Sequence, residues 1–184
     1  PGMGFDTHPH KNMEVISIPL KGYLRHGDSL EHSEVISPGD IQVMSTGSGI
    51  YHSEFNDSKT ENLEFLQIWI IPRVNNTKPV YKSYDIQVDM KNRFGYIVAP
   101  DGTAPGGILQ DAWFALGKLE KGKKIGYHLH QKNTGVYCFV IEGEICIEGT
   151  DLSRRDGMGI TETDHFQVEA RSEAYVLLIE VAMI

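Results

Sequence analysis

The sequence predicts an all-β protein, on three observations. Runs of β-branched and aromatic residues recur along the chain: MEVISIPL, DIQVMS, LEFLQIWIIP, AWFALGKL, YCFVIEGEICIEG, HFQVEA and YVLLIEVAMI. Gly, Pro, Asn and Asp fall between most of them, at the places where strands turn. No window carries a sustained helical apolar period with caps. Short strands of this kind close into sandwiches or barrels.

Taken in order, the first element is GFDTHPHKNMEVISIPLKG, residues 4–22. His8 and His10 stand two apart, so on a strand they project from one face. Pro9 between them has no N–H for a ladder bond, which favours a strand start or an edge. RHGDSLEHSE follows, and its His26 and His32 are expected on a hairpin surface. Gly39-Asp40 after Pro38 supplies the turn into IQVM, and Gly47-Ser48-Gly49 supplies a tight turn into IYHSEFN. There His52 and Glu54 form a second pair two apart. The polar, proline-containing stretch at 72–88 reads as connector.

The stretches on either side of it resemble each other. The first holds His8-Pro-His10, an apolar strand, Gly22 and a late His52. The second holds His128-Leu-His130, an apolar strand, Gly143 and a late His165. From second histidine to glycine is 12 positions in one and 13 in the other, and from that histidine to the late one 42 and 35. Similar order with drifting loop lengths predicts two copies of one barrel. The expected division is 1–73 as an N-terminal barrel with a metal site, 74–88 as connector and 89–184 as a C-terminal barrel.

A chain of 184 residues can bury such cores. Its net charge of −8 opposes phosphate backbones, so direct nucleic-acid binding is not expected. No apolar run reaches the roughly 18 residues that span a membrane as a helix. Cys138 and Cys146 are too few for a disulfide framework and fit a reduced, cytoplasmic compartment.

Two such pairs on neighbouring strands would bring His8, His10, His52 and Glu54 to one point inside a barrel. Three imidazoles and a carboxylate suit one borderline divalent metal per chain, iron(II) first, with manganese, nickel, copper, cobalt and zinc open. Four ligands leave positions for a substrate oxygen or O₂. Glu54 has a second, catalytic task in reach, accepting a proton from a phenolic or enolic hydroxyl. Phe5, Met13, Met44, Tyr51, Phe55 and Trp69 are candidates for an apolar wall around a flat ligand. The trio His128, His130 and His165 lacks the matching carboxylate, because Gln167 stands two after His165. A structural or pocket role is expected there before a second metal, with Tyr127 and Tyr137 as polar handles.

The stretches GFDTHPHKNMEVISIPLKG, GDIQVMSTGSGIYHSEFN and LEFLQIWIIP resemble the motifs of the pirin group of bicupins, within the cupin superfamily, and the short chain looks more like the bacterial members. The resemblance implies two cupin-type antiparallel β-barrels and the ligand set His8, His10, His52 and Glu54. Glu14 stands where many cupins place a further ligand, and is expected behind the shell. Ser45 replaces the usual motif-two proline. Pirins carry β-structure ahead of the HPH motif, so the first barrel is expected to be N-terminally truncated, with an open edge. The resemblance implies quercetin 2,3-dioxygenase-like cleavage of a flavonol or similar enol-bearing aromatic by O₂. The competing readings are a redox-sensing, metal-containing regulator that meets a protein partner, and a cupin isomerase acting on a small polar substrate.

Overall fold

In the computed structural model, residues 1–183 are described, and they form strands joined by turns, with no helix. The all-β expectation holds. The strands are β1 (Gly4–His10), β2 (Glu14–Lys21), β3 (Leu24–Asp28), β4 (Ser33–Ile36), β5 (Asp40–Ser45), β6 (Ile50–Asn56), β7 (Glu64–Ile70) and β8 (Val80–Asp85). There follow β9 (Gly95–Ala99), β10 (Gly106–Gly107), β11 (Ala112–Leu119), β12 (Lys124–His128), β13 (Thr134–Glu142) and β14 (Ile145–Ile147). The last are β15 (Thr150–Leu152), β16 (Gly157–Ile160), β17 (His165–Ala170) and β18 (Ala174–Ala182).

The chain divides into two compact units. The first comprises 1–87 and 105–110, and the second 88–104 and 111–184. The first unit holds one sheet in the order β1-β6-β3-β4 and another in the order β7-β2-β5-β8. β2 lies between β7 and β5 and is buried from Glu14 to Pro19. Pairing with β5 ends at Ser17↔Gln42, before Pro19, whose missing N–H therefore leaves no bond unfilled on that side. β1 is a sheet edge, mostly exposed, and carries Pro9 where an edge tolerates it. β8 lies inside the stretch expected as connector. Its VYKSYD alternates, with Tyr81 buried, and Tyr81 and Ser83 hydroxyls donate to Glu34 at 2.9 and 2.6 Å. That inward-facing pair makes it an edge strand of the first unit, paired with β5.

Gly47 makes the turn before β6. Its φ is 47°, and a Cβ there would fall 2.1 Å from the Thr77 carbonyl oxygen. Glu14, expected behind the metal ligands, has another task. It is fully buried, and its carboxylate accepts hydrogen bonds from the Ser45 hydroxyl at 2.8 Å, Leu109 N–H at 2.9 Å and Gln110 N–H at 2.8 Å. The Gln110 amide also donates to the Ile71 carbonyl at 2.8 Å. Glu14 thus ties segment 105–110 into the first unit.

The second unit contains strands in the order β9-β11-β18-β13-β16 and a sheet β12-β17-β14-β15. Its core gathers Leu119, Val136, Cys138, Ile145, Phe166, Val168 and Leu178, among others. Cys138 and Cys146 are both buried free thiols, as their apolar strand suggests.

Candidate metal centre

β6 alternates strictly, with Ile50, His52, Glu54 and Asn56 turned inward. A half-buried strand normally sends apolar side chains to that face, so His52 and Glu54 are the exceptions that carry chemistry. β1 pairs with β6 so that His8 stands directly opposite His52. His10 follows on the same face. The three rings lie close: 4.4 Å between the centroids of His8 and His52, 4.9 Å for His10 and His52, and 5.0 Å for His8 and His10. One nitrogen from each falls within 4.8 Å of the others.

Three of these nitrogens have no protein partner although buried: His10 Nε2 and both nitrogens of His52. An unsatisfied buried polar atom costs about 1–3 kcal/mol, so such a cluster asks for a ligand. His8 Nδ1 lies 2.7 Å from the Asp6 carbonyl oxygen. A carbonyl only accepts, so Nδ1 carries the proton and Nε2 keeps its lone pair, as in metal-bound histidines. Burial, with His8 beside it, lowers the pKa of His10. Burial and the neighbouring His8, His10 and His26 push His52 down to about 3. His10 and His52 are thus held neutral, the form that binds a metal. The donor set fits a divalent transition ion.

The same shift has a consequence for stability. An unfolded His52 takes its proton near 6.5, and the folded one only near 3. Between these values the unfolded chain binds more protons, so stability is complete above about pH 6.5 and drains as pH falls towards 3. His10 contributes with the same sign. Thermal melts of chelator-stripped protein from about pH 7.5 to about pH 4 are expected to fall steadily. A flat profile would contradict neutral burial of these rings.

Glu54 is buried beside them. It accepts from the Ser17 hydroxyl at 3.1 Å and, on its other oxygen, from the Gln67 amide. Gln67 in turn accepts from the Trp69 indole N–H at 3.2 Å, and Trp69 stands edge-on to His10 at 4.9 Å. Glu54 groups within 4.8 Å with His52 and His26, rather than with the His8–His10–His52 cluster.

His26 corrects the sequence reading, which put it on a hairpin surface. It is fully buried on β3. Its Nε2 lies 3.0 Å from Asp28 Oδ2 and its Nδ1 3.3 Å from the Gln42 amide nitrogen, and its ring stacks on Tyr81 at 4.2 Å. Both its nitrogens are hydrogen-bonded, and it stands against His52 and Glu54, with which it groups within 4.8 Å. Asp28 is itself buried. Although burial opposes its charge, hydrogen bonds from His26, from His32 and from the Leu30 N–H hold it below the usual carboxylate range. His32 does stay partly exposed at the hairpin.

Of the expected wall, Phe5, Tyr51 and Trp69 are more than half exposed, and Phe5 stands edge-on to His8 at 6.5 Å. Phe55 is half-buried. Met44 is fully buried with Val15, Ile50 and Tyr81, and Met13 packs on that cluster, so both methionines belong to the core.

The second unit repeats the register with the opposite face. β12 pairs with β17 so that His128 stands opposite His165, as His8 does His52. There Tyr127, Phe166 and Val168 point inward, and the two histidines point out. Among the described residues, no three ligand atoms gather in this unit. His130 turns inward instead, to the fully buried Glu180. That carboxylate accepts from His130 N–H at 2.8 Å, His130 Nδ1 at 2.7 Å and the Tyr127 hydroxyl at 3.0 Å, and the Thr134 hydroxyl lies 2.7 Å away. Trp113 stacks on His130 at 4.5 Å, with planes 5° apart. Tyr127 is therefore a buried strut and not a handle at a mouth.

Comparisons with known proteins match both stretches of the chain. The Pirin family profile matches residues 2–70, and the profile described as quercetinase C-terminal cupin domain matches residues 96–181. A quercetin 2,3-dioxygenase of Escherichia coli (strain K12) is 35% identical over 183 residues, covering 98% of this chain and 77% of the relative. A putative quercetin 2,3-dioxygenase of Zymomonas mobilis is 35% identical over 182 residues, covering 97% and 77%. The crystal structure of the bacterial pirin YhhW from Escherichia coli in complex with nickel(II) superposes with a TM-score of 0.92 at 33% identity, covering 100% of this chain and 78% of that one. The chain belongs to the pirin family of cupin proteins.

Proposed function

We propose that this chain is a metal-dependent dioxygenase of the quercetin 2,3-dioxygenase type, with His8, His10, His52 and Glu54 holding one divalent transition ion. The observation that carries this reading is the convergence of three imidazoles, three of their nitrogens buried without a protein partner. The names of the Escherichia coli and Zymomonas mobilis relatives support the activity, and the nickel(II) complex of YhhW supports a divalent transition ion. Iron(II) is the ion proposed for this chain. Two buried free thiols fit a reducing compartment, and the cytoplasm is the proposed one.

When bound, such an ion supplies the redox and Lewis-acid chemistry by which O₂ cleaves a flavonol's central ring with loss of carbon monoxide. The chain's own residues do the rest. Phe5 and Trp69 present flat apolar faces beside the imidazoles, suited to an aromatic substrate, whereas Tyr51 points to the other face of β6. Glu54 takes the proton from the substrate's enolic hydroxyl. Ser17 and Gln67 donate to its two oxygens and keep the carboxylate aimed. His26, braced by Asp28 and Tyr81, holds the far side of the pair formed by His52 and Glu54.

The test is an O₂-dependent assay on quercetin with iron-loaded protein, read as loss of flavonol absorbance. Native protein is expected to turn over. Glu54→Gln is expected to bind substrate but to lose about 100-fold or more in kcat, the scale of a lost general base. Equal kcat in Glu54→Gln would remove its role as base. A metal-loaded native protein without turnover would leave the regulator as the better reading.

A further inference from the structure

We propose that His128 and His165, with Asp164 orienting the latter, form a second and solvent-exposed site for a divalent transition ion on the outer face of the β12-β17 strand pair. The two residues face each other across antiparallel strands in register. Directly opposed side chains start about 4.5–5.5 Å apart at Cβ, which is the reach two imidazoles need to share one ion. Their ring centroids are 5.7 Å apart with planes 22° apart, close to the 4.4–5.0 Å spacings inside the first unit.

The tautomers favour ligation. His165 Nδ1 lies 2.8 Å from Asp164 Oδ1. An ionised carboxylate only accepts, so Nδ1 carries the proton and Nε2 is left with its lone pair, the carboxylate–histidine–metal arrangement. Neither ring nitrogen of His128 is hydrogen-bonded among the described residues. The backbone is fixed on both sides: the Thr163 hydroxyl donates to the His165 carbonyl at 2.6 Å, and Leu129 N–H donates to the Asp164 carbonyl at 3.0 Å. Both rings stand on strand termini rather than on a long loop, so little ordering is needed on binding. Both are exposed, so the ion keeps water on its remaining positions. Two imidazoles select copper(II), nickel(II) or zinc(II) over magnesium or calcium.

The experiment is a nickel(II) titration of the chelator-stripped full chain, followed by calorimetry, with excess magnesium present. Native protein is expected to show a weaker class of one equivalent besides any uptake at the interior centre. His128→Ala and His165→Ala are each expected to weaken that class at least about tenfold, because one arm of the chelate is gone. Asp164→Asn should weaken it severalfold, and His52→Ala should leave it unchanged. These substitutions lie on the outer face, where the fold tolerates them. Absence of the weaker class in native protein overturns the proposal. So does its survival at native affinity in either single histidine variant.

Discussion

His52→Ala is expected to empty the candidate centre while leaving the metal-free fold intact. His52 is the one residue common to both ligand groups, and both its ring nitrogens are buried without a protein partner. Losing a group that merely supports a ligand costs up to about 100-fold in metal affinity, and losing this imidazole is expected to exceed that. In metal-free protein the balance differs. The substitution opens a small cavity, but it removes two unsatisfied nitrogens that each cost about 1–3 kcal/mol. Metal analysis and melts with and without chelator check the pair of effects. Native protein should lose thermal stability on chelation, and the variant should not respond. Stoichiometric metal in His52→Ala would mean that the histidine pairs do not share an ion.

The second large effect is structural. Glu180→Ala is expected to destabilise the second unit by about 3–5 kcal/mol, the usual result of removing one member of a buried charged network. The carboxylate is fully buried, and its removal orphans the Tyr127 hydroxyl, His130 Nδ1 and the His130 N–H together. His130 would also lose the contact that seats it against Trp113. Thermal unfolding should shift down by about 10 °C or more. Glu180→Gln keeps the shape but sets an amide N–H₂ against donors, so a smaller loss of the same sign is expected. A melting point within 2 °C of native for Glu180→Ala, on the order of the change a single weak surface contact makes, would refute the network's role.

How much of this was legible in the sequence depended on strand parity. The pairs His8/His10 and His52/Glu54 could be read because each sits two apart beside apolar neighbours, and three of the four imidazole or carboxylate groups do converge around His52. His26 was missed because its surroundings are polar and turn-rich. The signal was nonetheless present: Leu24 stands two before it, and β3 buries Leu24 and His26 on one face. The outward pair His128/His165 was equally readable, since Phe166, Val168 and Ala170 mark the inner face of β17 and leave His165 and Gln167 outside. The assignment of Glu14 was beyond reach, because its backbone donors lie 95 and 96 positions away along the chain. Met13 and Met44 show the same limit, for an apolar side chain near a motif carries no mark distinguishing wall from core.

The bond from Glu14 to residues 109 and 110 determines where this protein can be divided. A scission after Gln87 yields a fragment that retains His8, His10, His52 and Glu54, yet forfeits 105–110 to the other piece. Its Glu14 would keep the Ser45 hydroxyl and lose both main-chain donors, stranding a carboxylate that is walled off from water. The linear halves of the sequence are therefore not independent modules. A free-standing first unit would need a rewired chain, in which 105–110 is spliced on behind residue 87.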